Sequence, residues 1–584
     1  MSQVGSGIAR RLLIVVGVLA VAVAGLVSRL VDLQLVHHES YRQQAQEEHL
    51  SRVDILPRRG AILDRNGYPL AASIDAYDVL VDKHIWGDGD KARGPAEVLA
   101  DVLNRPTDDI LADLDGSISR EVVVARGLDY RASVAVVDKV DEGHVSGVRL
   151  MRSSRRVYPE GNMAPALLGF LGRDNLGLAG LEADYNSELG GAAGTLVYER
   201  DGRGYLIPVG QQKRVAAEPG ADIILTIDRY MQYLVERELD ATIKKHKGSG
   251  GTIIIMDTRT GAVLAMASRP SFDVTHLDLS DEAKVDLYRN RAVTDLYEPG
   301  SVFKTITMSA ALNEGLVSPQ STYVDEGVAR ASGWAITNWD LGAHGVQTAT
   351  QILAKSLNTG AVWLSGLLGP DLFYEYVARF GFGQPTGVGL SGEAPGQFRT
   401  PADEGWAEVD MATNSFGQGI NVTPLQLITA IAAIANDGRL MQPYVVQEIR
   451  SGDESQVTQP VMVRQAISPE TANMVTDMME TVVDGITAIY AIDVPGYNVA
   501  GKTGTASISV PGGYKPDSYI ASFAGFVPSD DPVLAMLVKI DEPKDVPWGS
   551  AVSAPVFARL ASAILPYLKV PPDAPALVQG NPAE

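Results

Sequence analysis

The run Tyr297-Glu298-Pro299-Gly300-Ser301-Val302-Phe303-Lys304 sets a lysine three positions after a serine. A serine hydroxyl is a poor nucleophile at neutral pH until a base takes its proton. The Pro299-Gly300 pair marks a turn, and Thr305 to Leu312 (Thr-Ile-Thr-Met-Ser-Ala-Ala-Leu) reads as a buried helix. If Ser301 opens that helix, Lys304 lies one turn further along the same face, beside the hydroxyl. A lysine sunk in apolar surroundings loses proton affinity and becomes able to act as a base. Amides at the helix start also favour an oxyanion. The spacing alone leaves a plainer reading open, a helix-start serine with an unrelated surface lysine.

Two further runs bear on that choice. Ser356-Leu357-Asn358 follows about fifty residues later, and Lys502-Thr503-Gly504-Thr505 well beyond it, after Val499-Ala500-Gly501. Each of the three patterns occurs once, in that order. The trio S-x-x-K, S-D-N and K-T-G marks penicillin-binding proteins and class A β-lactamases. The surroundings sharpen the likeness. Gly417-Gln418-Gly419-Ile420 leads to Thr423-Pro424-Leu425-Gln426, AGKTGTA runs from Ala500 to Ala506, and YIASFAGFVP carries Tyr519, Phe523, Gly525 and Pro528. Nearer the N-terminus stand Arg59-Gly60-Ala61-Ile62-Leu63-Asp64-Arg65-Asn66-Gly67 and Gly180-Leu181-Glu182 with Tyr185. With these runs the chain resembles the class B penicillin-binding proteins, membrane-anchored transpeptidases that cross-link bacterial peptidoglycan. The resemblance extends from residue 12 to about 565, where Ala554-Pro555-Val556-Phe557 is similar to the family's last catalytic helix.

The resemblance implies an α+β fold, with a transpeptidase domain of the penicillin-binding and β-lactamase kind, an antiparallel sheet flanked by helices. An α+β pedestal and one transmembrane helix precede it. The implied catalytic residues are Ser301, Lys304, Ser356, Asn358 and Lys502. Ser301 attacks the carbonyl between the last two D-alanines of a peptidoglycan stem peptide, Lys304 receives the hydroxyl proton, and D-alanine leaves an acyl-enzyme behind. Ser356 relays a proton to the leaving amine, and Lys502 biases that proton through its charge. Asn358 bonds the donor peptide's amide and orients Lys304. Thr503, Gly504 and Thr505 form the substrate-binding strand, the threonines holding the terminal carboxylate beside Lys502. Backbone N–H groups of Ser301 and Thr505 frame the tetrahedral oxygen, and losing such a donor costs roughly a hundred- to thousandfold in rate. An amine on a second stem peptide then attacks the ester. One peptide bond replaces another, so no cofactor is implied, and β-lactams are expected to acylate the same serine.

Composition sets limits on the alternatives. A chain of 584 residues is too long for one compact core, so two or three domains are expected. The net charge of −22 argues against nucleic acid as a partner. With no cysteine there are no disulfides, thiolate metal sites or cysteine nucleophiles, and the eight histidines are scattered without metal-site spacing. No metal is expected.

Leu12 to Ser28 is uncharged and follows Arg10 and Arg11, near the lower length for a spanning helix. Ile8, Leu30 and Leu33 extend it, with Arg29 snorkelling towards the surface. The basic flank predicts a cytoplasmic N-terminus, a single span and an extracytoplasmic catalytic domain. A cleaved signal peptide is the rival, on the small-x-small run Ala22-Val23-Ala24. The expected organisation is a cytoplasmic tail over 1–11, an anchor over 12–30, a stalk and pedestal of the penicillin-binding dimerisation type over 31–219, the transpeptidase domain over 220–568 and a disordered tail over 569–584. Arg59, Arg65 and Glu182 read as ion pairs and caps that tie the pedestal together. Within the catalytic part, strand Asp222–Ile227, helix Asp228–Lys245, a hairpin turning at Arg259-Thr260-Gly261, and strands at Lys502, Tyr519–Phe526 and Pro532–Ile540 are expected.

Glu298 and the run GYNVAGKTGTA resemble the division enzymes more than the elongation type. That type implies a polytopic glycan polymerase of the shape, elongation, division and sporulation family as a membrane partner. The rival functions are an elongation-type transpeptidase, a β-lactamase or D,D-carboxypeptidase in which water attacks the ester, and a non-catalytic scaffold or β-lactam sensor. A sensor needs a cytoplasmic output domain, which about ten residues before the span do not supply.

Overall fold

The computed structural model describes residues 4–39, 41, 50–87, 89–172, 174–199, 207, 210, 212–279, 281–490, 493–510 and 512–573. The chain groups into two compact units, one of residues 1–58 and 191–220, the other of 59–190 and 221–584.

The first unit holds helix α1 (Val4–Val31). Ile8–Val36, 29 residues, is apolar and long enough to cross a bilayer, with none of its most apolar stretch buried. Arg29, expected to reach for the surface, pairs with Asp32 at 2.6 Å. Of the stalk expected beyond it, over 32–50, Asp32–Val36 continues the helix as a π-helical turn, while 40 and 42–49 lie outside the described residues. Leu50–Ile55 pairs antiparallel with Gly194–Glu199, which pairs in turn with Gln212–Val215.

In the second unit, residues 59–190 and the catalytic part share one mixed sheet. Ile62–Leu63 of the Arg59–Gly67 run lies parallel to Asp222–Leu225 and antiparallel to Pro69–Asp82. Strand Glu121–Leu128 pairs antiparallel with Pro69–Asp82, and helix Asp90–Leu103 packs into the core they share. The buried Glu182 carboxylate binds two guanidiniums, Arg59 Nε at 2.7 Å and Arg156 Nε at 2.6 Å. Arg59 also donates to the Glu182 carbonyl at 2.7 Å and to Asn186 Oδ1 at 2.9 Å. Arg65 plays another part from the one expected. Its side chain is exposed, and the buried acid beside it, Asp64, accepts from the amides of Asn66, Tyr68 and Arg229.

The catalytic sheet has five strands, β1 (Gly250–Asp257), β2 (Val263–Arg269), β3 (Ala500–Val510), β4 (Gly513–Val527) and β5 (Leu534–Asp541). Their order is β2-β1-β5-β4-β3, every pair antiparallel. The expected antiparallel sheet flanked by helices is present. The run Ile253-Ile254-Ile255-Met256 is apolar throughout because both faces are covered, alternate residues pointing to opposite sides. Ile253 and Ile255 join α2 (Arg229–His246) and α7 (Ala554–Tyr567) in one core, where Phe523 and Phe557 meet with ring centroids 4.9 Å apart. Ile254 and Met256 face the other core, with α3 (Lys304–Asn313), α4 (Asn358–Arg379), α5 (Pro424–Ala435) and α6 (Pro469–Tyr490).

Local signals fix these elements. Asp228 caps α2 through the amides of Tyr230 and Met231, and Thr423 with Gln426 closes a capping box on α5, with Pro424 in its first turn. The β1–β2 hairpin turns at Arg259-Thr260-Gly261, as predicted, where Asp257 Oδ1 accepts from Arg259 N, Thr260 N and Thr260 Oγ1. Helix α4 breaks at Gly369-Pro370, where Gly369 has φ +69°. Of the tail expected to be disordered, 574–584 lie outside the described residues. Val570 and Asp573, however, are pinned: Tyr497 Oη donates to Val570 O at 2.7 Å, and Asp573 N to Gly496 O at 2.8 Å.

Candidate active site

Ser301 sits in a 3₁₀ turn, Gly300–Phe303, that runs into α3. The serine is therefore one turn short of the α-helix, and the lysine three residues on is the first α-helical position. Every residue of α3 from Lys304 to Leu312 is buried, which explains the run's lack of an amphipathic stripe. Its hydroxyls are satisfied inside the core: Thr305 Oγ1 donates to Val302 O, Ser309 Oγ to Thr305 O, and Thr307 Oγ1 to Ser415 O.

Lys304 Nζ is the hub. It lies 3.0 Å from Ser301 Oγ, 2.6 Å from the Ser356 carbonyl, 3.2 Å from Ser356 Oγ and 2.8 Å from Asn358 Oδ1. The side chain is 1 % exposed. Burial, then the charge of Lys502, pulls its pKa well below the ordinary lysine value. Burial lowers the pKa of Lys502 too, to about 7. Lys502 Nζ lies 3.2 Å from Ser356 Oγ and 3.1 Å from Thr503 O. The two buried lysines thus share one hydroxyl.

The three motifs reach this point from different places. Ser356 lies between the short helix Ala349–Ala354 and α4, outside both, with φ +56°. A non-glycine residue held there is strained, and in that conformation its carbonyl meets Lys304 and its hydroxyl meets both lysines. Asn358 opens α4, and its amide is oriented by Nδ2 donating to Thr337 O at 2.9 Å. Lys502 to Thr505 lie on β3, the last strand of the sheet. Gly504 is required by close approach, since a Cβ there would fall 2.4 Å from Ser522 Oγ and 2.9 Å from Pro299 O. A groove of about 1120 Å³ runs over the site, lined by Ser301, Ser356, Asn358, Thr503 and Thr505. All eight expected residues are brought together here, Lys304 and Lys502 beneath the groove floor and Gly504 within the strand.

Sequence reading missed several supports. Asn338 Oδ1 accepts from Asn358 N at 2.9 Å and Thr359 Oγ1 at 3.1 Å, while its Nδ2 donates to buried Asp325 at 2.8 Å. Burial opposes the Asp325 charge, yet amides and hydroxyls bonded to it hold its pKa below the usual value. Glu298, three residues before the nucleophile, is buried and accepts from Gly419 N at 3.0 Å and Tyr514 Oη at 3.3 Å. Burial raises its pKa. No spacing rule finds such residues, because their partners lie far along the chain. The one available signal was aromatic: Trp334 and Trp339 stand in a glycine-rich, turn-like stretch where a buried core is not expected.

Known proteins carry the same architecture. Residues 251–562 match the penicillin binding protein transpeptidase domain, and residues 54–225 the penicillin-binding protein dimerisation domain. The chain is 35% identical to stage V sporulation protein D of Bacillus subtilis over 93% of its own length and 84% of that protein's. It is 31% identical to peptidoglycan D,D-transpeptidase FtsI of Escherichia coli, over 97% and 93%. Among solved structures it superposes on a peptidoglycan synthetase from Bifidobacterium adolescentis with a TM-score of 0.71, at 26% identity, covering 90% of this chain and 98% of that one. Penicillin binding protein 3 from Mycobacterium tuberculosis, complexed with aztreonam, gives a TM-score of 0.68 at 27% identity, covering 91% and 100%. The three motifs meeting at the Ser356 hydroxyl, the sheet order and these matches agree: the chain belongs to the class B penicillin-binding proteins.

Proposed function

We propose that the chain is a serine-type peptidoglycan D,D-transpeptidase that works through a Ser301 acyl-enzyme. The observation that carries this reading is the set of partners around Lys304. A neutral amine has two N–H donors and one lone pair. Ser356 O at 2.6 Å and Asn358 Oδ1 at 2.8 Å can only accept, so they take the two N–H groups. The lone pair is left for the two serine hydroxyls, and Ser301 Oγ at 3.0 Å is nearer than Ser356 Oγ at 3.2 Å. Lys304 therefore takes the proton as Ser301 attacks the D-alanyl-D-alanine carbonyl. Ser356, held by both lysines, passes a proton to the leaving D-alanine. Thr503 and Thr505 hold the substrate's terminal carboxylate beside Lys502, and the N–H groups of Ser301 and Thr505 frame the oxyanion. The second stem peptide's amine then resolves the ester. β-lactams acylate the same serine and stay there.

The domain limits we propose are a cytoplasmic tail over 1–11, the anchor over 12–30, the pedestal to 219, the transpeptidase domain over 220–568 and the tail from 569. Arg10 and Arg11 ahead of the span support a cytoplasmic N-terminus and a catalytic domain outside. We read the enzyme as the division type, working at the septum with a polytopic glycan polymerase of the shape, elongation, division and sporulation family. We assign that contact to the anchor and pedestal: co-purification with the polymerase should be lost on deleting residues 1–219, and its survival ends that assignment.

Intact mass of the full chain in detergent, after incubation with benzylpenicillin, tests the catalytic reading. A persistent single adduct, absent in Ser301→Ala, is expected. Intact drug with no adduct would favour a scaffold, and destroyed drug without an adduct would mean a hydrolase.

A further inference from the structure

A pair of indoles lines the groove. Trp339 follows strand Trp334–Thr337, and Trp548 precedes the helical turn Gly549–Val552. Their rings meet edge to face, with centroids 5.6 Å apart and planes at 67°. They are 58% and 40% exposed, and both line the groove. Large apolar side chains grouped in the open mark a contact surface more often than a fold requirement. Each tryptophan stands next to one wall of the site. Trp339 Nε1 donates to the Lys355 carbonyl at 3.1 Å, one residue before Ser356. Gly549 N, directly after Trp548, donates to Thr505 Oγ1 at 3.3 Å.

What passes this point follows from the reaction, on the transpeptidase reading above. The amine that leaves in the first half-reaction takes its proton at Ser356. The second half-reaction is the first run backwards with a different amine, so the incoming nitrogen takes the place that the leaving one vacated. Its lone pair attacks the ester carbon, the C–N bond forms and the bond to Ser301 Oγ breaks. One N–H proton returns to Ser301 Oγ. Before reaction an aliphatic amine is an ammonium at neutral pH, so it first gives one proton through Ser356 to the neutral Lys304, which releases it to solvent afterwards, and only then has a lone pair to attack with. An indole within about 6 Å attracts a cation through its face and packs on the methylenes behind it. Water gains neither.

We propose that Trp339 and Trp548 form the acceptor subsite, holding the side-chain amine of a second stem peptide beside Ser356 in preference to water.

The test partitions one acyl-enzyme between two fates. The full chain in detergent is given a stem pentapeptide donor whose side-chain amine is acetylated, and a stem tetrapeptide with a free side-chain amine as acceptor. Mass spectrometry then gives the ratio of cross-linked to hydrolysed product, and benzylpenicillin adduct formation gives acylation separately. Trp339→Ala and Trp548→Ala are expected to lower that ratio at least tenfold more than they lower acylation, with Trp339→Phe restoring most of it. A ratio that holds, or that falls only in step with acylation, overturns the acceptor subsite while leaving the transpeptidase reading intact. A wild-type chain that forms no adduct, or that only hydrolyses the donor, overturns both.

Discussion

Gly417 and Gly300 meet backbone to backbone: Gly300 N donates to Gly417 O at 3.0 Å, and a Cβ on Gly417 would fall 2.2 Å from Gly300 O. Gly417 also has φ +80°, where an L side chain is strained. Gly417→Ala must therefore push the segment that carries Ser301. Displacements near 1 Å cost about a hundredfold in rate. The penicillin acylation rate of Gly417→Ala should fall by about that factor, and a variant acylating at the wild-type rate would show the contact to be slack.

Acylation should depend on pH through both lysines. Burial and the neighbouring charge depress Lys304, so the neutral base is populated as pH rises and the rate climbs with it. Lys502, depressed to about 7, loses its charge above that pH, and the rate falls if the charge is needed at Ser356. A bell-shaped profile with its alkaline limb near pH 7 is expected from stopped-flow acylation. Lys502→Arg, charged throughout, should lose the alkaline limb, and Lys304→Ala should lower acylation by at least a thousandfold.

Ser356 holds φ +56°, and its hydroxyl contacts both lysines. Removing the hydroxyl should slow turnover whichever residue replaces it. Stability should separate the two replacements, since glycine adopts this conformation freely and alanine does not. Ser356→Gly is expected to be more stable than Ser356→Ala by about 1 kcal/mol in chemical denaturation. Equal midpoints would mean that the joint relaxes.

Glu182 is fully buried between Arg59 and Arg156. Removing one member of such a group leaves uncompensated charge in the core and costs about 3–5 kcal/mol. Glu182→Ala should melt well below the wild type, with whatever remains folded still forming the penicillin adduct. Loss of the adduct from fully folded protein would instead tie this carboxylate to the chemistry.

What was legible in the sequence follows how local its cause is. The burial of Lys304 could be read because the eight residues after it offer no polar face, and the β1–β2 hairpin because Asp257 and Gly261 announce a turn. The same holds for the capped starts of α2 and α5. Ser356 was less legible: its left-handed backbone is imposed by packing between two helices, against the residue's own preference, so a helical position was the natural alternative. Asn338 was invisible, since it is tied to Asp325 and Thr359 by the fold alone. Arg65 was expected to tie the pedestal together, whereas Asp64 beside it is the buried member, because a motif shows which residues stand together, not which one faces inward. Nothing in residues 191–220 foretells that they group with 1–58.

The strand that carries Lys502-Thr503-Gly504-Thr505 ends its sheet, with no further strand beside it among the described residues. Its outer rim therefore offers a ladder of amide donors and acceptors to any extended backbone laid alongside. A partner gripped by its main chain is chosen with little regard to its side chains, which suits a wall polymer whose stems vary. The same tolerance is a vulnerability. A small rigid amide that imitates only the backbone, and has no stem at all, satisfies the rim as well as the true substrate does, and the fold has no simple means of refusing it.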